Sequence, residues 1–157
     1  MKYDKPIQDY YPDELSYCYG CGRLNEDGLH IQSFWEGEET VARFEPRPYH
    51  MAIPGYVYGG LIASLVDCHG TGSAALAAYR AEGRDPDTLP ALRFVTASLH
   101  VDYLKPTPLG PTLVLRGRVK EVKGRKVTVD IDVFAGDVQT AKGQVVAVQV
   151  PEEWGLV

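Results

Sequence analysis

Pro54-Gly55-Tyr56-Val57-Tyr58-Gly59-Gly60 opens onto residues 61–79, a run of small and apolar side chains whose single carboxylate is Asp67. The adjacent glycines close a loop, and the run behind them is apolar nearly all round. That pattern reads as a helix, roughly 59–81, wrapped by other elements rather than lying on the surface. Glu82-Gly83-Arg84-Asp85-Pro86 stops it, with glycine and proline where a helix end uses them. Burying a carboxylate in such a helix is costly. Backbone N–H groups at a glycine-rich helix start can hold an oxyanion. Together the two features imply an acyl-transfer or hydrolysis site.

Working outward, the flanks read as strands. Leu29, Ile31, Phe34 and Trp35 suggest one, Glu36-Gly37-Glu38-Glu39 a turn, and Thr40-Val41-Ala42-Arg43-Phe44 a second. Pro46 and Pro48 end it. Beyond the helix, residues 94–103 alternate weakly, with Leu99, Val101 and Tyr103 on one face. Residues 112–122, 126–135 and 138–149 are rich in Val, Leu and Ile, and Lys123-Gly124-Arg125 and Gly136-Asp137 between them read as hairpin turns. The order is two strands, one long helix and four strands. One apolar helix and one antiparallel sheet must bury each other's faces, which gives an α+β fold. Residues 1–17 read as an irregular arm or a short helix.

The chain has 157 residues, 45% of them apolar, and a net charge of −5. This fits about one domain and disfavours nucleic acid as the main partner. No stretch of about 18 residues is apolar and free of polar groups, so no membrane-spanning helix is expected. Met1-Lys2-Tyr3-Asp4-Lys5-Pro6 has no apolar core and does not read as a signal peptide. Three cysteines, Cys18, Cys21 and Cys68, fit a reducing compartment better than a disulfide scaffold, so the expected location is cytoplasmic. Cys18 and Cys21 form a single Cys-x-x-Cys. His30 could add a ligand, but no second ligand pair stands at zinc spacing. The pair therefore reads as a tight structural turn, Cys68 as a small core residue, and no metal site is expected.

These features resemble the hotdog-fold thioesterases, specifically the PaaI-like acyl-CoA thioesterases. The resemblance rests on Cys18-Tyr19-Gly20-Cys21-Gly22 with Asn25 and Gly28-Leu29, on Pro54-Gly55 with Gly59-Gly60 and Asp67, and on residues 96–110. It implies a curled antiparallel sheet of five to six strands around one central helix. The whole chain, 1–157, would be one hotdog domain, with an arm over 1–27 and the core over 28–150. It further implies hydrolysis of an acyl-CoA thioester, with coenzyme A entering as part of the substrate and no cofactor.

By the same resemblance, Asp67 would activate the hydrolytic water or act as nucleophile. Gly59 N–H would polarise the carbonyl, and Thr96 would help hold the water. Gly60, Tyr58 and His50 would contact substrate. The site would lie between subunits of a homodimer or a dimer-of-dimers tetramer. Tyr58 departs from the pattern, since most relatives of this branch have histidine there. A tyrosine donates a hydrogen bond but is not cationic near neutral pH. Two other readings stay open. One is an acyl-CoA-binding protein without catalysis. The other is a hotdog dehydratase, which would want an acid fourteen residues after His50, where Ser64 stands. Lys105, Arg125 and Lys126 are candidates for the coenzyme A phosphates.

Overall fold

A computed structural model describes residues 3–154. Its elements are β1 (Phe34–Glu36), β2 (Glu39–Phe44), α1 (Gly59–Ala81), β3 (Phe94–Tyr103), β4 (Leu113–Lys123), β5 (Lys126–Ala135) and β6 (Val138–Gln149), preceded by two single 3₁₀ turns, Ile7–Tyr10 and Asp13–Leu15. The six strands form one sheet in the order β1-β2-β4-β5-β6-β3, antiparallel at every step. The two tight hairpins lie where the sequence puts them, with Gly124 (φ 61°) and Gly136 (φ 62°) supplying the left-handed backbone.

Helix α1 packs against β3, β4, β5 and β6. Leu61, Ile62, Leu65 and Val66 meet Leu113, Leu115, Val129, Ile131, Val133 and Val145 in one core. The sheet closes on the helix at Gly70, where an added Cβ would lie 2.4 Å from a methyl of Val145. By length and composition α1 passes for a membrane-crossing helix, but 67% of its apolar window is buried inside this fold.

The first strand is shorter than the sequence suggests. Leu29 and Ile31 donate their N–H groups to Tyr19 and Gly20, and the Ser33 carbonyl accepts from Ile7. Residues 28–33 thus pair with the N-terminal arm instead of extending β1. The arm in turn buries Ile7 with Leu76, Tyr79 and Leu92 at the far end of α1.

A polar network crosses the same region. His69 is fully buried; its Nδ1 lies 2.8 Å from Ser33 Oγ and its Nε2 lies 3.3 Å from Thr40. Ser33 N–H donates to Gln8, and Thr40 shares a hydrogen bond with Ser73. Burial lowers the His69 pKa from 6.5 to about 4, with the Thr40 carbonyl opposing. The neutral ring is therefore the folded form. Its contribution is present above pH 6.5 and is lost as pH falls toward 4, up to about 3 kcal/mol. Urea midpoints measured from pH 7 down to 4 are expected to fall more steeply for wild type than for His69→Gln.

Candidate active site

The elements that carry the site are the start of α1 and the edge strand β3. Tyr58 is the N-cap of α1, in extended conformation (φ −61°, ψ 128°), with no side-chain cap. Leu61 and Ile62 N–H groups both donate to the Tyr58 carbonyl. The N–H groups of Gly59 and Gly60 precede that first bond and have no acceptor among the described residues. A helix N-terminus with open N–H groups carries the positive end of the macrodipole.

Neither glycine has positive φ; Gly60 answers to close packing, whereas Gly59 has room for an ordinary contact. A Cβ at Gly60 would lie 2.4 Å from the Tyr58 ring, and one at Gly59 would lie 3.4 Å from the Tyr103 ring. Tyr103 Oη donates to the Gly59 carbonyl at 2.6 Å, so β3 clasps the helix start from outside. Burial raises the Tyr103 pKa, with Tyr58 adding to the effect, which keeps its hydroxyl a donor. A cleft of about 320 Å³ opens here, lined by Val57, Gly59, Ile62, Tyr103, Lys105 and Thr107 among others.

Asp67 lies eight residues further along α1. It is half-buried, not buried as its neighbours in sequence imply, because β3 is the edge of the sheet and leaves this helix face partly open. Thr96 Oγ1 donates to Asp67 Oδ1 at 2.5 Å. A regular strand would put Thr96 and Tyr103 on opposite faces, since seven residues separate them. The register of β3 against β6 slips between Thr96 and Ser98, and this one-residue bulge lets both side chains address α1.

The other expected residues are placed as follows. Tyr58 is exposed and folds over Gly60. His50 accepts the Arg47 N–H on Nδ1 at 2.9 Å and packs on Tyr49 and Phe44. Its ring lines a separate cleft of about 760 Å³ with Tyr19, Arg43 and Arg47, not the cleft at Gly59. Burial and Arg47 lower its pKa. Lys105 reaches the Gly59 cleft, whereas Arg125 and Lys126 sit at the β4–β5 hairpin. Tyr103 was read from sequence only as a strand residue; its odd spacing from Thr96 hid its common face with it.

Cys18 and Cys21 lie in a tight turn and Cys68 is buried, and the fold brings Cys68 up to the other two. The three sulfurs all lie within 4.8 Å of one another. Hydrogen bonds from the Cys21 and Cys68 thiols, and from backbone N–H groups of Cys21 and Gly20, hold the Cys18 thiol well below its usual pKa. The Cys68 thiol is raised by its hydrogen bonds to Cys18 and Cys21 and by burial. His30 takes no part; its ring bonds the Asn25 carbonyl.

Residues 54–142 match the family model described as the thioesterase superfamily. "Acyl-coenzyme A thioesterase THEM4" of Xenopus laevis is 32% identical over 118 residues, 73% of this chain and 47% of that protein. The chain spans about half the length of the curated relatives it matches. The crystal structure of a thioesterase superfamily protein from Shewanella loihica PV-4 is 49% identical, with a TM-score of 0.68 over 90% of this chain and all of that one. The E. coli PaaI protein shares the fold at 16% identity, with a TM-score of 0.62 over 78% of this chain and 81% of its own. With its six-stranded antiparallel sheet curled on one central helix, the chain has the hotdog fold and belongs to the thioesterase superfamily.

Proposed function

We propose that this chain hydrolyses acyl-CoA thioesters, with Asp67 activating water, or attacking first, and Gly59 N–H polarising the carbonyl. The observation that carries the reading is the pair formed by Asp67 with the Thr96 hydroxyl, together with the open N–H groups at Gly59 and Gly60 on the same helix. A carboxylate fixed by one hydroxyl keeps a second oxygen for a water or for direct attack. The open N–H groups and helix dipole suit the charge that develops on the thioester oxygen. The relatives named acyl-coenzyme A thioesterases and the superfamily match support the same substrate class.

One chain does not complete the site. Eight residues of α1 at 1.5 Å each separate the Gly59 and Asp67 backbones by about 12 Å along the axis. The carbonyl carbon and the attacking water must lie about 3–3.5 Å apart, and the open N–H of Gly59 points out of the helix start, away from Asp67. We therefore read the working pair as coming from two copies, Gly59 of one and Asp67 of the other. Strand β3 suits that pairing. It is a ten-residue edge strand whose residues 96–100 are all exposed, and an uncovered edge of this length is a template for another strand. A homodimer joined through β3 is the assembly proposed.

Release of free thiol from a panel of acyl-CoAs tests the activity. Turnover above background by wild type is expected; ligand binding without any release would overturn hydrolysis and leave an acyl-CoA-binding protein. Thr96→Val is expected to lower kcat about tenfold, the equivalent of roughly 1.4 kcal/mol. A hydrogen bond to a charged group is worth about that much when partly exposed. Its melting temperature is expected to stay near that of wild type, since Thr96 is exposed and valine is a good strand former.

A further inference from the structure

The three cysteines form a site independent of the proposed hydrolysis, and we propose that Cys18, Cys21 and Cys68 together bind a thiophilic divalent cation of the zinc class. Three features of the geometry support this. First, the sulfurs are mutually within 4.8 Å, and they are the only such group of His, Cys, Asp or Glu among the described residues. Zinc–sulfur bonds of about 2.3 Å at tetrahedral angles set sulfurs about 3.8 Å apart, and Cys18 Sγ lies 3.8 Å from Cys68 Sγ.

Second, the backbone turn holds two of the sulfurs together. Gly22 N–H donates to the Cys18 carbonyl at 2.7 Å, which closes the Cys-x-x-Cys-Gly turn and brings the Cys18 and Cys21 sulfurs within 4.8 Å of each other. Gly22 cannot be larger, because its Cβ would lie 2.4 Å from Cys18 N.

Third, the helix supplies the third ligand through a gap left for it. A Cβ at Gly20 would stand 2.2 Å from Cys68 Sγ, so the missing side chain is the space the Cys68 sulfur occupies. Cys68 is otherwise an ordinary core position, fifty residues away in sequence. Three protein ligands leave one position open, as in zinc sites that retain a water. Cys18 and Cys21 also line a cavity of about 190 Å³ with Tyr11, Leu15, Thr71 and Phe94 among others, which provides an entry path and room for that water. The ion would tie the N-terminal arm to α1 at the residue after Asp67.

Cobalt(II) titration of the reduced full chain under nitrogen tests the proposal. One equivalent is expected to give thiolate-to-cobalt charge-transfer absorption and the intense visible bands of tetrahedral cobalt, both abolished by added zinc(II). Cys18→Ser and Gly20→Ala are each expected to lose at least nine-tenths of that absorption. Gly20→Ala is the more telling, since it keeps all three thiols and only displaces one. A measurement on wild type alone guards against variants that fail to fold. Alkylation of the exposed Cys18 by iodoacetamide is expected to slow at least tenfold when stoichiometric zinc(II) is present. The proposal is overturned if cobalt leaves the spectrum unchanged or octahedral, if folded variants bind it as wild type does, or if zinc does not protect Cys18. A Cys18–Cys68 or Cys18–Cys21 disulfide in the isolated chain, with no cobalt uptake after reduction, would overturn it in favour of a thiol redox pair.

Discussion

Asp67→Asn is expected to lower the rate of thiol release from acyl-CoA by about 10²- to 10⁴-fold, the range over which a positioned general base acts, with KM changed little. The reason for a pure rate effect is local. Asp67 is half-buried, and its hydrogen bond within the described residues is accepted from Thr96 Oγ1. The amide oxygen of asparagine accepts the same bond, so the packing of α1 and β3 stays in place while the carboxylate charge is removed. Steady-state kinetics with a thiol reagent, with thermal melts of both proteins, measure it. Equal rates in wild type and variant would remove Asp67 from the mechanism.

Gly59→Pro is the second large effect. Proline at the first helical position is tolerated because that N–H has no intrahelical partner. The preceding Tyr58 already holds the extended backbone that a residue before proline requires. The substitution therefore removes the N–H with the helix start intact. Loss of an oxyanion donor costs about 10²- to 10³-fold in kcat.

Combining this variant with Asp67→Asn tests where the two residues meet. If Gly59 of one copy works with Asp67 of its partner, two inactive variants co-expressed in equal amounts form mixed dimers in half the cases. Each mixed dimer has one intact site of its two, so activity recovers to about a quarter of wild type. No recovery, with mixed dimers demonstrated by tag pull-down, would place both residues in one site per chain and remove the two-copy arrangement, while leaving the hydrolysis itself to be judged by Asp67→Asn alone.

The fold was legible because its signals are local. The bounds expected for the helix and the last three strands fall within a residue of those observed. A glycine pair, an apolar run and a Gly-Arg-Asp-Pro stop fix a helix, and two-residue glycine turns fix hairpins. The first strand was over-extended because Leu29 and Ile31 are apolar residues at strand spacing. Their partners, Tyr19 and Gly20, lie in an arm that carries no periodic signal.

The candidate site divides along the same line. Asp67, Gly59 and Gly60 stand out by sequence, as does the departure at Tyr58. The direction of a side chain within a strand does not, once a bulge intervenes. Thr96 and Tyr103 have opposite parity, and only the register slip at Ala97 brings both to α1. Likewise Cys68 resembles any small core residue until Gly20 is placed against it. The sequence by itself determined the elements, their order and the two groups with chemistry to offer, because propensity, turn residues and helix ends are short-range. Tertiary structure decided which side chains meet, leaving Asp67 at an open sheet edge, a tyrosine over Gly59 and three sulfurs in one triangle. Those contacts join residues far apart in the chain and depend on the closure of the sheet around the helix.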